Sequence, residues 1–337
     1  MIKYIGSKRL LLDDIASSVD MEKHNTFVDL FSGTSRVGHR MKKEGMSVIS
    51  NDYAHYGKVL ADCYVVADRK KYEADVKKLV DEYNRSTDKS CGYFTQTFCC
   101  SSQYFHPKNG ERVDWIREDI ENKSLDPILK SVMLTSLMEA ADRVDATAGV
   151  QMAFLKKYPQ RAYKDMELRV PDMVDNVDGA FYESHRADSN ELVKTLPRYD
   201  VIYVDPPYNQ HSYLGNYHIW ESLCLWDKPE HYGIACKRVD TKEKKSDYNM
   251  KTKAHRAMES LIASLNCKSV VVSFNNEGFI PRNEMEILLN KYGTLAVKEI
   301  DYKRYVGAKI GIHNKKGKKV GKVGHLNNKE YLYVLNF

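Results

Sequence analysis

Four short apolar runs, each closed by a turn or an acid, punctuate the chain. They are Phe27-Val28 ahead of Asp29, Val48-Ile49 ahead of Asn51-Asp52, Val201-Ile202-Tyr203-Val204 ahead of Asp205, and Val270-Val271-Val272 ahead of Asn275. Runs that are apolar at consecutive rather than alternate positions predict strands buried on both faces of a sheet. Segments of helical period accompany them, at residues 9–19 ahead of the first run and from the Gly33 turn to about Gly45 after it. A further strand is expected near 180–184 with a helix start at 186–192, and the last two strands near 295–302 and 331–337. Strand and helix in alternation predict an α/β fold. From about Gly57 to Arg169 the alternation stops. Residues 72–83, 110–122 and 127–144 carry a helical period. The chain therefore divides into 1–56 with 170–337, and an inserted helical region at 57–169.

In an open α/β sheet, ligands bind beyond the carboxyl ends of the strands. The third run enters Asp205-Pro206-Pro207-Tyr208 there. Two prolines fix φ and remove donors, so the loop is rigid and its carbonyls are free acceptors. An acid, a free carbonyl and a ring suit a flat base bearing an amino group; an isolated Asp-Pro-Pro-Tyr would equally close a buried strand as a tight turn. The first run enters Leu30-Phe31-Ser32-Gly33-Thr34-Ser35, a Gly/Ser/Thr turn at a helix start, the cradle of nucleotide-type cofactors. Asp29 inside the strand end, and no Lys-Ser/Thr pair after the turn, argue for a cofactor without phosphates. Asp52, about 20 residues past the glycine turn, is placed to accept from ribose hydroxyls, or to cap the helix beginning near Ala54. Asp188 is placed to cap the helix at 186–192. Near the chain's start, Gly6 allows a left-handed turn, Ser7 would cap the helix that follows, and Lys8 points at that helix start.

Residues 93–109 are rich in aromatics, hydroxyls and amides, which groove and base readout use and which a loop packed on a helical lobe would also use. A net charge of +6 is weak evidence for a polyanionic partner, and its distribution says more. Residues 237–256 carry eight basic residues against three acids and read as a mobile, polar loop; residues 303–329 carry nine basic residues and no acid. Two such runs in a near-neutral chain read as phosphate contacts. Seven cysteines without a Cys-x-x-Cys pair, and no secretory signal at Met1-Ile2-Lys3-Tyr4, read as reduced thiols of a cytoplasmic protein. Cys91, Cys99, Cys100 and His106 fit no familiar zinc spacing, so no metal is expected. No apolar run has the length of a membrane span.

Asp205-Pro206-Pro207-Tyr208 stands in company with Lys3-Tyr4-Ile5-Gly6-Ser7-Lys8, the turn around Gly33, the helical insertion and the aromatic stretch 211–223. Together they resemble the Dam-type (alpha-class) DNA adenine-N6 methyltransferases, in the subset found in restriction–modification systems. The resemblance implies a Rossmann-like S-adenosylmethionine-dependent methyltransferase fold with a mixed seven-stranded sheet, and target recognition by the insertion at 57–169. It implies that Asp205, Pro206, Pro207 and Tyr208 are catalytic. The adenine amino group would bond to the Asp205 carboxylate and the Pro206 carbonyl, while Tyr208 stacks on the flipped-out base. It implies that S-adenosylmethionine is held by Tyr4, Gly6, Lys8, Asp29, Phe31, Gly33, Asp52 and Asp188, with Asp205 at the border of both sites. Tyr4 and Lys8 match the aromatic and lysine of the motif that closes over the methionine end. The chain departs from the family at Ser35, where the last glycine of Phe-x-Gly-x-Gly is expected. His211 and His218 are tempting general bases, but the transfer demands none. The partners implied are double-stranded DNA and a restriction endonuclease on a separate chain, with the protein itself a monomer or weak dimer. RNA or protein methylation is the rival reading, usually with Asn in place of Asp205; a DNA-binding module on an inactive methyltransferase fold is another.

Overall fold

A computed structural model describes residues 1–303, 312–313, 319–321 and 327–337, so the basic run at 303–329 lies largely outside the described residues. One sheet of seven strands organises the chain. In chain order the strands are β1 Thr26–Asp29, β2 Ser47–Asn51, β3 Tyr182–His185, β4 Tyr199–Val204, β5 Cys267–Asn275, β6 Thr294–Lys303 and β7 Asn327–Asn336. Across the sheet they run β3-β2-β1-β4-β5-β7-β6, the first five parallel and β7 antiparallel to both neighbours. The winding reverses between β1 and β4, which is where an open α/β sheet forms its binding crevice.

Successive side chains of a strand point to opposite faces. Ile202, Val204, Val270 and Val272 pack with Met258, Leu261, Met285 and Leu288 of the helices Lys251–Ala263 and Arg282–Leu289. Val201, Tyr203 and Val271 pack on the other face with Ile15, Val37 and Met41 of Leu12–Ser17 and Arg36–Lys43. Helices on both faces are the reason these strands read as unbroken apolar runs.

All seven strands lie outside 57–169. That segment forms the helices Arg69–Arg85, Pro107–Asn122 and Pro127–Arg143 with shorter turns between them. The helix His55–Ala61 runs through the junction at 56/57. The helical lobe shares its core with the residues that follow the Asp205 loop: Tyr217, Ile219, Trp220 and Leu223 pack in one cluster with Phe98, Ile116, Met133 and Leu137.

Two expectations are corrected here. The rings of 93–109 are not presented for readout, because Phe94, Phe98, Tyr104 and Phe105 are each at most 1% exposed, while Gln96, Ser101 and Gln103 stand exposed. The segment winds into Tyr93–Thr95 and a π-turn over Gln96–Cys100, which turn its rings inward. Buried Asp114 pins that winding. Its carboxylate accepts from the backbone N–H of Gly92 (3.0 Å), Phe94 (2.9 Å) and Thr95 (2.8 Å), and from Thr95 Oγ1 (2.6 Å). Asp114→Ala is expected to lower unfolding free energy by about 3–5 kcal/mol, since buried donors then lack an acceptor. A urea titration checks this, and Asp114→Asn, which keeps one acceptor oxygen, should lose less.

The second correction concerns residues 237–256, which fold rather than hang open. Val239–Lys242 and Asp247–Asn249 are short 3-10 turns that lead into the helix Lys251–Ala263. Arg238 is 3% exposed and forks onto Asp227 (2.7 and 2.7 Å) and Asp240 (3.1 and 3.0 Å). Lys244 pairs with Asp240 at 2.8 Å and Lys253 with Asp247 at 3.0 Å. These three cations are engaged within the chain, while Lys245, Lys251 and Arg256 stand exposed.

Candidate active site

Beyond the ends of β1 and β4 lies a cavity of about 330 Å³. Tyr4, Gly6, Lys8, Asp29, Phe31, Gly33, Asp52, Asp188, Asp205 and Pro207 all line it; Pro206 and Tyr208 do not. Ten residues read as site residues from the sequence thus meet around one space.

One wall is the turn after β1. Asp29 is 1% exposed; its Oδ2 accepts from Gly38 N at 3.0 Å, and its Oδ1 has no partner. Burial, against the pull of that Gly38 N–H, pushes its carboxyl up to about 7. Gly33 has φ +52°, and a Cβ there would sit 3.2 Å from the Tyr4 ring. Ser35 also takes the left-handed conformation (φ 58°, ψ 26°), so the serine adopts the backbone state that a glycine favours. Asp52, at the end of β2, is held by the backbone on two sides. Its Oδ2 accepts from Gly33 N at 2.8 Å and its Oδ1 from Ala54 N at 2.8 Å, tying the glycine turn to the start of the helix His55–Ala61. Burial holds its carboxyl at about 6 against those two bonds. Asp188 caps Ser189–Leu192, accepting from Asn190 N (2.9 Å) and Glu191 N (3.2 Å).

The chain's first residues form the roof. Tyr4 stacks on Tyr213 (centroids 5.2 Å, 12°) and on Tyr217 (4.5 Å, 17°). Gly6 has φ +72°, and a Cβ on it would come within 2.7 Å of the Tyr213 hydroxyl. Ser7 does not cap: it makes no side-chain bond, and the expected helix is split into a 3-10 turn Lys8–Leu10 and the helix Leu12–Ser17. Instead the chain carries Lys8 down into the cavity.

Lys8, only 7% exposed, reaches the end of β4. Its Nζ stands 3.0 Å from Asp205 Oδ1, 2.8 Å from Glu330 Oε1 and 2.5 Å from the Tyr208 hydroxyl. The Tyr208 hydroxyl lies 2.5 Å from Asp205 Oδ1 and 2.7 Å from Glu330 Oε1, while its ring leans on Phe274 (4.7 Å, 52°). Burial pushes the Asp205 carboxyl up to about 6; Lys8 opposes that shift and Glu330 adds to it. Burial alone would pull Lys8 down, but the two carboxylates outweigh it and raise the ammonium above its ordinary range.

Phe31, Tyr53 and Tyr248 also line the cavity. Tyr248 meets Phe31 edge-on at 5.4 Å and bonds Asn190 Oδ1 at 2.8 Å. Its neighbour Asn249 donates to the carbonyls of Asn209 (2.7 Å) and His211 (3.1 Å), so the 239–250 segment braces the loop after Asp205. His218 is buried at hydrogen-bond distance (2.9 Å) from the Gln151 carbonyl, and burial lowers it to about 3. It is a packing residue. Among the described residues no three His, Cys, Asp or Glu side chains gather as a metal group, and no helix is long and apolar enough to cross a membrane.

Sequence reasoning missed Glu330, Ser273, Tyr248 and Asn249. Only Glu330 left a signal: an acid directly ahead of the apolar run Tyr331-Leu332-Tyr333-Val334-Leu335.

A family model for D12 class N6 adenine-specific DNA methyltransferases matches residues 4–285. Modification methylase StsI of Streptococcus sanguinis is 32% identical over 328 residues, which take in 90% of this chain and 49% of that protein. Type II methyltransferase M.FokI of Planomicrobium okeanokoites is 30% identical over 325 residues, covering 90% of this chain and 50% of the relative. Type II methyltransferase M.NlaIII of Neisseria lactamica is 29% identical over 347 residues and is matched across 99% of both chains. The chain spans about half the length of the first two and nearly all of the third.

Proposed function

The chain belongs to the D12 class N6 adenine-specific DNA methyltransferases, and from that premise we propose that it moves a methyl group from S-adenosylmethionine to the N6 amino group of an adenine in double-stranded DNA. The observation that carries this reading is the Asp205 carboxylate at the end of β4, on the wall of the same cavity as Gly33, Asp29 and Asp52.

The cavity suits the cofactor. Phe31 and Tyr248 on its wall offer rings to a base, with Asp188 near Tyr248 to accept an amino group, and Asp52 supplies a carboxylate for ribose hydroxyls. Around the glycine turn, Asp29 Oδ1, Ser32 Oγ and Arg36 Nε are buried without partners, as a zwitterionic tail needs. S-adenosylmethionine, when bound, supplies an electrophilic methyl on a sulfonium. What this chain does is hold the amino nitrogen in line with it. Adenine N6 is a poor nucleophile because its lone pair is delocalised into the ring. Hydrogen bonds from the amino group to Asp205 and to the Pro206 carbonyl localise that lone pair and stabilise the positive charge developing on nitrogen. As the N–C bond forms and the S–C bond breaks, a proton leaves N6 toward Asp205 or water. Tyr208 would stack on the flipped base after its ring leaves Phe274, offsetting part of the flipping cost.

The lobe built from 57–169 is the target-recognition region in this reading, with its surface rather than the buried rings of 93–109 facing DNA. Relatives named as modification methylases support a role in a restriction–modification system; in this reading its endonuclease is a separate chain.

Transfer of labelled methyl to unmethylated bacterial DNA, followed by nucleoside analysis, tests the function. Label should appear in N6-methyladenine and vanish with Asp205→Ala. Transfer requires ionised Asp205, held near 6, so the rate should fall as pH drops through about 6. Label in RNA or protein alone would refute the assignment.

A further inference from the structure

Glu330 has no part in the reaction described above, yet three donors of the acid end of the cavity converge on it. It lies on β7, 5% exposed, and β7 pairs antiparallel with β5 so that Glu330 stands opposite Asn275, beside the ends of β5 and β4. Its Oε1 accepts from Lys8 Nζ (2.8 Å), from the Tyr208 hydroxyl (2.7 Å) and from Ser273 Oγ (2.9 Å). Lys8 therefore stands between the buried Glu330 carboxylate and the half-buried Asp205 carboxylate, 3.0 Å from the latter.

Charge counting gives this arrangement a consequence. Lys8 with Asp205 alone would be a neutral pair, and the ammonium would compete with an incoming amino group for the carboxylate. With Glu330 present the cluster carries one negative charge, and the ammonium is shared. Methyl transfer places positive charge on the nitrogen bonded to Asp205, so an anionic cluster stabilises that step where a neutral pair does so poorly. We propose that Glu330 is a positioning residue that shares Lys8 with Asp205, keeping the acid end of the site anionic and the Asp205 carboxylate open to the substrate amino group. This rests on the reading of Asp205 as the amino acceptor.

Glu330→Gln is the test, because the amide oxygen can accept the same three bonds while the charge is lost; Glu330→Asp restores the charge. Among the described residues, the other titratable groups facing Asp205 are Asp29 from β1, Tyr203 on β4 itself, and Tyr208 and Tyr213 after it, all unchanged in both variants. Titration of the Asp205 carboxyl is followed first, without cofactor or DNA, by infrared difference against the matching Asp205→Asn proteins. In Glu330→Gln it should move at least about half a pH unit lower, since a like charge has gone, and in Glu330→Asp it should stay near wild type. The pH profile of kcat/KM, which reports groups of the free enzyme, is followed next. Its acid limb should shift down by the same amount and its plateau fall about tenfold to a hundredfold, with cofactor KM within about twofold. Glu330→Asp should recover part of the plateau. A lower plateau with the titration and the acid limb both unmoved would reduce Glu330 to packing and overturn the proposal. A shifted titration in a protein whose wild type methylates no DNA would overturn the reading of Asp205, and this role with it.

Discussion

Asp205→Asn is expected to lower kcat for methyl transfer by about 10²- to 10³-fold while leaving affinity for S-adenosylmethionine within a few-fold. The amide keeps the shape of the side chain and one acceptor oxygen but loses the charge that faces the developing cation on N6. Its NH₂ also presents hydrogens where the substrate amino group must place its own. Stability should move the other way. Burial, with Glu330 adding to it and Lys8 opposing, raises the Asp205 carboxyl from 3.8 to about 6 in the folded protein. A carboxyl raised on folding is best tolerated when protonated, so stability falls as pH rises from below 4 through 6. The full rise corresponds to about 3 kcal/mol at alkaline pH. Asparagine carries no such penalty, so the urea midpoint at pH 8 should equal or exceed that of wild type. An inactive protein that unfolds no sooner separates loss of chemistry from loss of fold. Activity within tenfold of wild type would remove Asp205 from the reaction.

The parts of the fold that were legible in the sequence are those set by local burial. Strands covered on both faces carry apolar residues at consecutive positions, and β1, β2, β4 and β5 announce themselves in that way. The parts that misled are set by side-chain partners that only the folded chain brings into place. The rings of 93–109 look like a sticky loop until Asp114, on another helix, gathers their backbone N–H groups and turns them inward. Arg238 looks like a phosphate contact until Asp227 and Asp240 fold against it and bury the guanidinium. A charge run shows that cations are present, and folding decides which of them stay free.

The site divides along the same line. Acids at strand ends and glycine in a turn are local chemistry, so Asp29, Gly33, Asp52 and Asp205 could be named from their own neighbourhoods. Ser35 breaks the expected glycine pattern, yet it occupies the same left-handed backbone state, so the substitution changes the residue and keeps the turn. Glu330 is the opposite case. It meets Lys8 across 322 residues of chain, and only the antiparallel register of β7 against β5 brings it to the catalytic end of the sheet. The apolar run that marks the last strand begins at Tyr331, so this acid falls one residue ahead of it.

Lys8→Met should give the mirror image of the Glu330 variant and a larger loss. Without the ammonium, Asp205 and Glu330 are two carboxylates sharing one hydroxyl, and both cannot stay ionised near neutral pH. The Asp205 carboxyl then titrates above its present value near 6. The acid limb of the kcat/KM–pH profile should move to higher pH, with a loss of at least about tenfold at pH 7 that is partly recovered toward pH 9. The fold should weaken too, by about 3 kcal/mol at pH 8, because removing one partner strands buried charge. The sign of its pH dependence follows from the same shift. Carboxyls raised above their unfolded values bind more protons in the folded chain, so the deficit should shrink as pH falls toward 6 and grow as pH rises. Urea titrations at pH 6 and 8 read this directly. If Lys8 served only to close over the methionine end of the cofactor, Lys8→Met would raise KM for S-adenosylmethionine and leave the acid limb where it was. An upward shift of the limb assigns the lysine to Asp205, and an unmoved limb with a raised KM assigns it to the cofactor.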